Sequence, residues 1–335
     1  MYVRRGPRSG LFTIVAVHST VRGPSLGGCR MWTYDDNRAA VRDALRLSEG
    51  MTYKSAVAGL PLGGGKGVIV LRPGEELDAR RRRAALLDFG ETVERLRGTY
   101  VTAEDVGTST RDMTVIAKTT GHVSGLSRRS GGSGDPSPFT ALGVVHAIEA
   151  TLERAFGDPS PRGRTVAVVG LGHVGLRVAK LLHRAGAELL VADIDRTKRA
   201  EAEALGWRWT TPAKAMTAAV DVLVPCALGG VLDHESVPRL QAPAIAGAAN
   251  NQLASADVAD LLREREILWA PDFVANAGGI VNIAVELEPG GYDPTRAKAR
   301  TAEIGDTLRR VYDDAAAAGT TPLAAATALA RRNLR

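Results

Sequence analysis

The chain has 335 residues, of which 44% are hydrophobic and 24% charged, and its formal net charge is +6 at pH 7. This length suits two domains of ordinary size, and the composition is typical of a soluble globular protein. The two cysteines exclude a disulfide framework and lack metal-ligand spacing, and the six scattered histidines imply no metal.

The termini and the apolar segments bear on location. The chain begins MYVRRGPRSG, without the apolar core of a signal peptide, and no apolar run is long enough to span a membrane. We therefore expect a cytoplasmic protein with no membrane partner.

The first predicted elements are a strand and a helix, separated by a glycine-rich segment. Leu11 to Thr20 alternates in polarity and is rich in β-branched residues, which predicts a strand. The pair Gly27 and Gly28 then predicts a turn with exposed backbone amides. Asn37 to Met51 has apolar residues at helical spacing, which predicts a helix.

Two lysines stand in the stretch from Gly50 to Val70, GMTYKSAVAGLPLGGGKGVIV. Only seven of the 43 basic residues are lysines, so this chain uses arginine for most of its positive charge. Burial or a like-charged neighbour depresses the pKa of a lysine, which then accepts a proton or attacks a carbonyl, whereas arginine cannot. We therefore predict that Lys54 and Lys66 reach one small site beside a glycine-rich turn. A tight turn with one surface lysine is the alternative.

The next segment, DARRRRAALLDFGETVERL, predicts a helix with arginines at Arg80 to Arg83. Its apolar residues at helical spacing form a separate face of the helix. Four arginines opposite such a face are typical of a solvated surface, so we expect no nucleic-acid partner.

A predicted strand in TYVTAEDVG ends in two carboxylates, Glu104 and Asp105. A carboxylate near a lysine pair relays protons and also holds an adjacent ammonium group in its charged form. This makes Asp105 a candidate acid/base group. For Glu104, a surface position explains the sequence equally well.

The stretch SRRSGGSGDPSP, from Ser127 to Pro138, is dense in glycine, serine and proline and predicts a linker between domains. Ser137 and Pro138 then start a helix, because a capping residue precedes proline at the first helical position. We accordingly predict a first domain over 1–134 and a second over 135–319, followed by a C-terminal helix within 320–335.

The segment TVAVVGLGHVGLRVAKLLHRAGAELLVADIDR combines a buried strand, a glycine loop, a helix and a second strand that ends at Asp193. This combination is typical of a dinucleotide-binding βαβ unit, in which the helix N-terminus binds the pyrophosphate. A carboxylate at Asp193 binds the ribose hydroxyls and repels a 2′-phosphate, so NAD is favoured over NADP, although Arg196 leaves the second choice open. The predicted loop residues are Gly170, Gly172, His173, Val174 and Gly175.

Three further strands are predicted at Ala219 to Pro225, Ala244 to Ala248 and Ile267 to Ala270. Each is followed by a segment rich in small or polar residues. Asn251 and Asn276 in these segments supply amides that bind a carboxamide or substrate without adding charge. An Asx turn is the alternative explanation at Asn251.

The motifs GMTYK, GGGK, the acidic segment around Asp105 and GLGHVG together resemble the glutamate/leucine/phenylalanine/valine dehydrogenase superfamily. The resemblance implies that Lys54 binds the substrate α-carboxylate, that Lys66 is catalytic and that Asp105 is the general acid/base. It also places Gly28 at the substrate and Thr140 beside the nicotinamide. The implied fold is α/β, with an N-terminal substrate domain, a Rossmann-type doubly wound domain and the active site in the interdomain cleft, the C-terminal helix packing back on the first domain.

The same resemblance bears on the substrate. Members that act on glutamate carry a lysine where this chain has Leu26, and an apolar residue there leaves a second carboxylate unpaired, which disfavours glutamate. Leu26 as an ordinary core residue is the alternative. A candidate side-chain pocket comprises Leu26, Ala103, Ser124, Ile280 and Ile283.

We therefore expect reversible NAD-dependent oxidative deamination of an apolar L-amino acid, with leucine or valine favoured. An aromatic substrate and a non-catalytic NAD-binding regulatory protein are the two alternatives. The partners expected are the amino acid, its 2-oxo acid and ammonia, with further copies of the chain forming a homo-oligomer. Its number of subunits is open, because the arm common at the N-terminus of leucine dehydrogenases is short or missing here.

Overall fold

The computed structural model of the protein describes residues 1–335, which group into two compact units. The first unit contains Met1–Pro136, Asn282–Arg296 and Ala330–Arg335, and the second contains Ser137–Val281 and Ala297–Leu329. The chain thus returns to the first unit twice after it has entered the second. The predicted division at a single linker does not account for the return of Asn282–Arg296. Of the stretch 320–335 that the resemblance assigns to the first domain, only Ala330–Arg335 belongs to the first unit.

The first unit is built on a five-stranded sheet with the strand order β1-β2-β4-β3-β5. Strand β2 runs antiparallel to β1 and β4, whereas β3 runs parallel to both β4 and β5. Three helices complete this part of the unit. The elements are β1 Tyr2–Arg5, β2 Phe12–Ser19, β3 Ser25–Thr33, α1 Asn37–Val57, β4 Gly63–Leu71, α2 Ala79–Glu94, β5 Tyr100–Glu104 and α3 Thr110–Ile116.

The two faces of this sheet are packed differently. Helix α1 covers one face, where small alanines allow it to approach Ile14, Val68 and Val70 closely. Helices α2 and α3 cover the other face with larger residues, including Phe89 and Met113. Side chains alternate between the faces along a strand, so Lys66 shares the α1 face with Val68 and Val70.

The glycines of two glycine-rich segments in the first unit lie in strands, and the turns predicted for them are wrong. Gly63 to Gly67 form the first half of β4, and Gly27 and Gly28 lie inside β3. The cause is close packing: a Cβ atom on Gly27 would lie 1.8 Å from the carbonyl oxygen of Gly65. One on Gly64 would lie 2.1 Å from a backbone nitrogen of α1. These glycines therefore allow close approach rather than an unusual backbone conformation.

Helix α1 is longer than predicted, because it continues past Met51 to Val57 and so carries Lys54 in its last turn. It begins after Asp36, whose side chain accepts a hydrogen bond of 2.7 Å from the backbone N–H of Ala39. This is the expected arrangement for an N-terminal cap.

The second unit is built on a six-stranded parallel sheet with the order β11-β10-β9-β6-β7-β8. The order reverses between β6 and β9, which is the switch point of a Rossmann fold. The last three strands are shorter than predicted. The strands are β6 Thr165–Val169, β7 Glu188–Ala192, β8 Arg208–Thr210, β9 Val222–Pro225, β10 Ala244–Ile245 and β11 Leu268–Trp269.

Helices alternate with these strands, and further helices follow the sheet. They are α4 Ser137–Phe156, α5 Gly175–Arg184, α6 Arg199–Ala204, α7 Pro212–Met216, α8 Val258–Glu264, α9 Asp272–Ala275, α10 Gly278–Glu286, α11 Pro294–Ala317 and α12 Pro322–Asn333. No helix combines the length and the apolar character that crossing a bilayer requires.

Candidate active site

The centre of the candidate site in the first unit is a buried ion pair. The ammonium nitrogen of Lys66 lies 2.7 Å from Oδ2 of Asp105, and only 5% of the lysine side chain is exposed. Lys66 comes from the middle of β4, and Asp105 follows directly after β5. The structure therefore brings together the two residues for which the sequence predicts proton chemistry.

The loop after β5 fixes the position of Asp105. Its backbone N–H donates to Oγ1 of Thr108 over 3.0 Å, and that hydroxyl donates to the carbonyl oxygen of Cys29 over 2.8 Å. Gly28 makes room for the carboxylate, because a Cβ atom there would lie 2.6 Å from Cβ of Asp105. Gly28 thus lies next to the ion pair, as part of the strand rather than of a turn.

Arg30, a residue that the sequence reasoning missed, makes a second ion pair with Asp105. Its Nε atom donates to Oδ2 over 3.0 Å, so the same oxygen faces two cations. Burial by itself would raise the pKa of Asp105, but Lys66 and then Arg30 outweigh it, and the net effect is a lowered pKa. The carboxylate is therefore held in its charged form.

The other two predicted polar residues of this unit have different surroundings. Lys54 is half-buried in the last turn of α1. Glu104 accepts a hydrogen bond of 2.8 Å from the hydroxyl of Thr110, and burial raises its pKa. Glu104 is thus bound to α3, whereas Asp105 is bound to Lys66.

The residues of the predicted side-chain pocket are mostly buried. In the first unit, Leu26 is 1% exposed, Ala103 3%, Ser124 0% and Ile283 5%. Ile280, in contrast, belongs to the second unit, and it is half-buried. The structure therefore gathers four of the five in one unit.

Glu286, which the sequence gave no reason to single out, ties this part of α10 to the first unit. Its Oε2 atom accepts hydrogen bonds from the backbone N–H groups of Gly125, over 2.9 Å, and Ser133, over 2.7 Å. Gly125 follows Ser124 directly in the sequence. No local pattern signals this contact, since the partners are more than 150 residues apart.

The glycine loop of the second unit has the geometry of a dinucleotide site. Gly170 has a φ angle of +102°, which disfavours any residue with a side chain. A Cβ atom on Gly175 would lie 1.9 Å from the carbonyl oxygen of Gly170, whereas one on Gly172 would meet no other atom within 4 Å. His173 and Val174 complete the loop, and α5 begins at Gly175, with the N–H groups of Leu176 and Val178 donating to the loop carbonyls of Gly172 and Val174. These features fit a pyrophosphate group.

Asp193 follows β7, as predicted, and its carboxylate is held mainly by the backbone. Oδ2 accepts from the N–H of Leu171 over 2.6 Å, and Oδ1 accepts from that of Asp195 over 2.8 Å. Lys198, which the sequence reasoning missed, donates to Oδ2 over 3.0 Å. Burial raises the pKa of Asp193, but these three donors outweigh it and lower the pKa overall.

The two predicted asparagines differ in their surroundings. Asn251 is exposed and has a φ angle of +52°, a conformation that asparagine tolerates better than most residues. Asn276 is buried, and its Nδ2 atom donates to the carbonyl of Ala248 over 3.1 Å and to Oδ1 of Asn250 over 2.9 Å. Its own Oδ1 atom is buried without a hydrogen-bond partner. A nicotinamide carboxamide is a donor of the kind that this oxygen lacks.

Thr140 lies close to this asparagine segment. It is half-buried in the first turn of α4, and Gly278 packs against that turn. A Cβ atom on Gly278 would lie 2.0 Å from the carbonyl oxygen of Phe139 and 3.2 Å from Cα of Thr140. The second unit therefore holds Thr140 near the segment that follows Asn276.

Comparison with known proteins identifies the family. Residues 5–122 match the model of the Glu/Leu/Phe/Val dehydrogenase dimerisation domain, and residues 191–328 match that of the glutamate/leucine/phenylalanine/valine dehydrogenases. The leucine dehydrogenase of Geobacillus stearothermophilus is 44% identical over 305 residues, which cover 91% of this chain and 82% of that protein. The chain belongs to the Glu/Leu/Phe/Val dehydrogenase family.

Two further comparisons extend this result. The valine dehydrogenase of Streptomyces virginiae is 43% identical over 333 residues, covering 97% of this dehydrogenase and 90% of that protein. The crystal structure of L-tryptophan dehydrogenase from Nostoc punctiforme has a TM-score of 0.84 at 36% identity, covering 100% of this chain and 95% of that chain. Residues 147–233 also match the NAD-binding domain of the D-isomer specific 2-hydroxyacid dehydrogenases. The predicted family and fold class are thus confirmed, and the dehydrogenase uses a nicotinamide dinucleotide.

Proposed function

We propose that this dehydrogenase catalyses the reversible NAD-dependent oxidative deamination of an apolar L-amino acid, with leucine or valine as the favoured substrate. The products are the 2-oxo acid, ammonia and NADH. The observation that carries the proposal is the buried pair of Lys66 and Asp105, whose charged atoms lie 2.7 Å apart. A buried, paired lysine and carboxylate can exchange protons with a substrate held beside them.

In this proposal the first unit binds the amino acid and handles its protons. The ammonium group of Lys54 pairs with the α-carboxylate and so orients the Cα–H bond. NAD, when bound, supplies the acceptor for the hydride that leaves Cα. Lys66 in its neutral form takes a proton from the water that adds to the resulting iminium carbon. Asp105 moves a proton to the amine nitrogen as the C–N bond breaks and ammonia leaves.

The second unit supplies the cofactor contacts. The amides of the loop from Gly172 to Gly175 bind the pyrophosphate, and Asn276 accepts a hydrogen bond from the carboxamide through its unpartnered Oδ1 atom. Thr140 is the proposed neighbour of the nicotinamide ring. Asp193 accepts the adenosine ribose hydroxyls. We infer NAD rather than NADP, since a 2′-phosphate would face this carboxylate.

Substrate preference rests on the candidate pocket. Leu26 and Ile283 are buried and apolar, which suits an aliphatic side chain and disfavours a second carboxylate. Branched residues of this size favour leucine or valine over larger side chains. One methylene group changes the transition-state free energy by only about 1 to 3 kcal/mol, so such a preference is a matter of roughly 10- to 200-fold.

Oxidation of an aromatic amino acid is the second candidate function. One observation favours it, namely the similarity to L-tryptophan dehydrogenase over the whole chain. A non-catalytic NAD-binding protein is the third candidate. The intact ion pair of Lys66 and Asp105 argues against it, because a protein without turnover does not need this pair. We also propose that the protein forms a homo-oligomer, because residues 5–122 match a dimerisation domain.

The test is NADH formation from NAD⁺ with a panel of L-amino acids at alkaline pH, where the released proton is drawn off. We expect kcat/KM to be highest for leucine or valine. A higher value for phenylalanine or tryptophan would instead favour oxidation of an aromatic amino acid as the function. Binding of NADH without any amino-acid-dependent turnover would contradict the proposed catalysis. D-leucine serves as the control, because its Cα–H bond would point away from the cofactor.

A further inference from the structure

Arg30 joins the catalytic pair to the helix that carries Lys54. It lies on β3, next to both β4 and β5, and only 21% of its side chain is exposed. Its Nε atom donates to Oδ2 of Asp105 over 3.0 Å, and its Nη1 atom donates to Oδ2 of Asp43 over 3.0 Å. Asp43 belongs to α1. One guanidinium group therefore bridges the end of β5 and α1.

Both cations beside Asp105 contact the same carboxylate oxygen. Lys66 and Arg30 each bind Oδ2, which leaves Oδ1 as the oxygen available to substrate or water. The Asp105 side chain is 23% exposed, so it is not fully enclosed. A carboxylate free to rotate would present either oxygen in turn. The two fixed donors instead select a single orientation.

Asp43 in turn holds Arg30 in place. The hydroxyl of Tyr34 donates to Oδ2 of Asp43 over 2.7 Å, so this oxygen accepts hydrogen bonds from both Tyr34 and Arg30. Arg46 pairs with the other oxygen over 2.9 Å and is more than half exposed. Burial raises the pKa of Asp43, but its three donors outweigh this and lower it overall. The anchor is thus charged, and it is built from residues that do not contact Asp105.

We infer that Arg30 is a positioning residue for the proposed reaction, holding Oδ2 of Asp105 so that Oδ1 faces the reacting amine while Lys66 changes its protonation state. The inference rests on the proposed function. Its physical reason is the permanent charge of arginine. When Lys66 gives up its proton, Asp105 loses one of its two neighbouring cations in a buried site. Arginine stays protonated throughout and keeps the carboxylate compensated.

The surroundings of Asp105 contain few other charges. Lys66 faces it from β4, and Arg30 and the buried thiol of Cys29 face it from β3. The Tyr100 hydroxyl of β5 lies within electrostatic range, and burial raises its pKa well above the usual value. Neither Cys29 nor Tyr100 is charged near neutral pH. Removing Arg30 therefore removes one of two compensating charges, and the pKa of Asp105 should rise.

The test compares Arg30→Gln with Arg46→Gln in the full-length protein. Both arginines pair with Asp43, but only Arg30 reaches Asp105. For Arg30→Gln we expect kcat to fall by about 10- to 100-fold, the loss typical of a misplaced catalytic group, with a smaller change in KM. The acidic limb of the kcat/KM profile should move to higher pH. Arg46→Gln should stay within about twofold of the wild type, as surface ion pairs contribute little.

Arg30→Lys separates charge from geometry. A lysine keeps the positive charge but cannot donate in the fixed fork that joins Asp105 to Asp43. We expect its acidic limb to return toward that of the wild type while kcat remains several-fold lower. If Arg30→Gln does not fold, as its melting temperature would show, Arg30→Lys carries the test alone. A wild-type kcat in Arg30→Lys would then overturn the inference.

A readout without turnover distinguishes this inference from the proposed function. Carboxyl-carbon NMR of protein labelled at aspartate, with Asp105→Asn to assign the resonance, reports the titration of Asp105 directly. We expect it to titrate at higher pH in Arg30→Gln than in the wild type and in Arg46→Gln. Identical titration in all three, or equal losses of kcat in both arginine variants, would overturn the inference. A wild type without amino-acid-dependent turnover, but with the expected titration, would count against the proposed function and leave the electrostatic role of Arg30 in place.

Discussion

The two units each contain a lysine paired with an aspartate, and the two pairs differ in which partner is buried. In the first unit Lys66 is only 5% exposed and Asp105 is 23% exposed, with 2.7 Å between the charged atoms. In the second unit Lys198 is 33% exposed and Asp193 is 8% exposed, with 3.0 Å between them. The same two side chains thus form a site with a buried cation in one unit and a buried anion in the other.

The remaining contacts explain what each pair is suited to do. Asp105 is compensated by two side-chain cations, Lys66 and Arg30. Asp193 is held by two uncharged backbone N–H groups, those of Leu171 and Asp195, and by one side-chain cation, Lys198. A carboxylate that is compensated by side-chain cations alone suits proton transfer, and a carboxylate that is held mainly by backbone N–H groups suits binding of a neutral hydroxyl pair. The comparison therefore supports the proposed division between a catalytic pair and a cofactor-binding pair.

The largest effect is expected for Asp105→Asn. The amide leaves Lys66 and Arg30 without a counter-charge and cannot carry the proton to the amine. We expect kcat to fall by about 10²- to 10⁴-fold, the usual contribution of a general acid/base group. Affinity for NADH, measured by fluorescence titration, should change by less than about threefold, because the proposed cofactor residues lie in the second unit. A kcat within tenfold of the wild type would contradict the assigned role.

A smaller effect, on stability, is expected for Gly27→Ala. The added Cβ atom would lie 1.8 Å from the carbonyl oxygen of Gly65, so β3 and β4 must separate beside Lys66. We expect a loss of about 1 to 3 kcal/mol in the free energy of unfolding, measured by denaturant titration. Gly50→Ala is the matched control, because its Cβ atom in α1 would meet nothing within 4 Å. The control should stabilise the protein by up to about 1 kcal/mol, and a loss of stability there would contradict the packing argument.

The smallest effect is expected for Asp193→Asn, the counterpart of Asp105→Asn in the second pair. The amide keeps one acceptor for a ribose hydroxyl but no longer repels a 2′-phosphate. We expect KM for NAD⁺ to rise about tenfold, and the ratio of kcat/KM for NADP⁺ to that for NAD⁺ to rise as well. The value of kcat with saturating NAD⁺ should change only a few-fold. An unchanged cofactor ratio would show that Asp193 does not set the preference.

The same contrast shows what could be predicted from the sequence. The strand, the glycine loop, the helix and Asp193 follow one another within 30 residues, so local spacing was enough to find them. In the first unit the resemblance to the family named Lys66 and Asp105, but not their arrangement. Arg30 was missed because its partner Asp105 is 75 residues away, and only the pairing of β3 with β5 brings them together.

The glycine strands show the same limit. A run of glycines predicts a turn when it is considered alone, since glycine adopts positive φ angles without strain. Whether Gly65 lies in a turn or a strand depends on Gly27, which belongs to the neighbouring strand. Lys198 was missed for a different reason. It stands only five positions after Asp193, but a surface lysine in that segment is not unusual.

The most direct test of the comparison is to remove the lysine from each pair and measure both turnover and cofactor affinity. Lys66→Ala should lower kcat by at least about 10³-fold, within the range of a general acid/base group, and leave the dissociation constant for NADH within about threefold. Lys198→Ala should keep kcat within a few-fold and alter mainly the affinity for the dinucleotide. If Lys66→Ala keeps more than a tenth of the wild-type kcat, or if both variants lose turnover equally, the separation between a catalytic pair and a binding pair is contradicted.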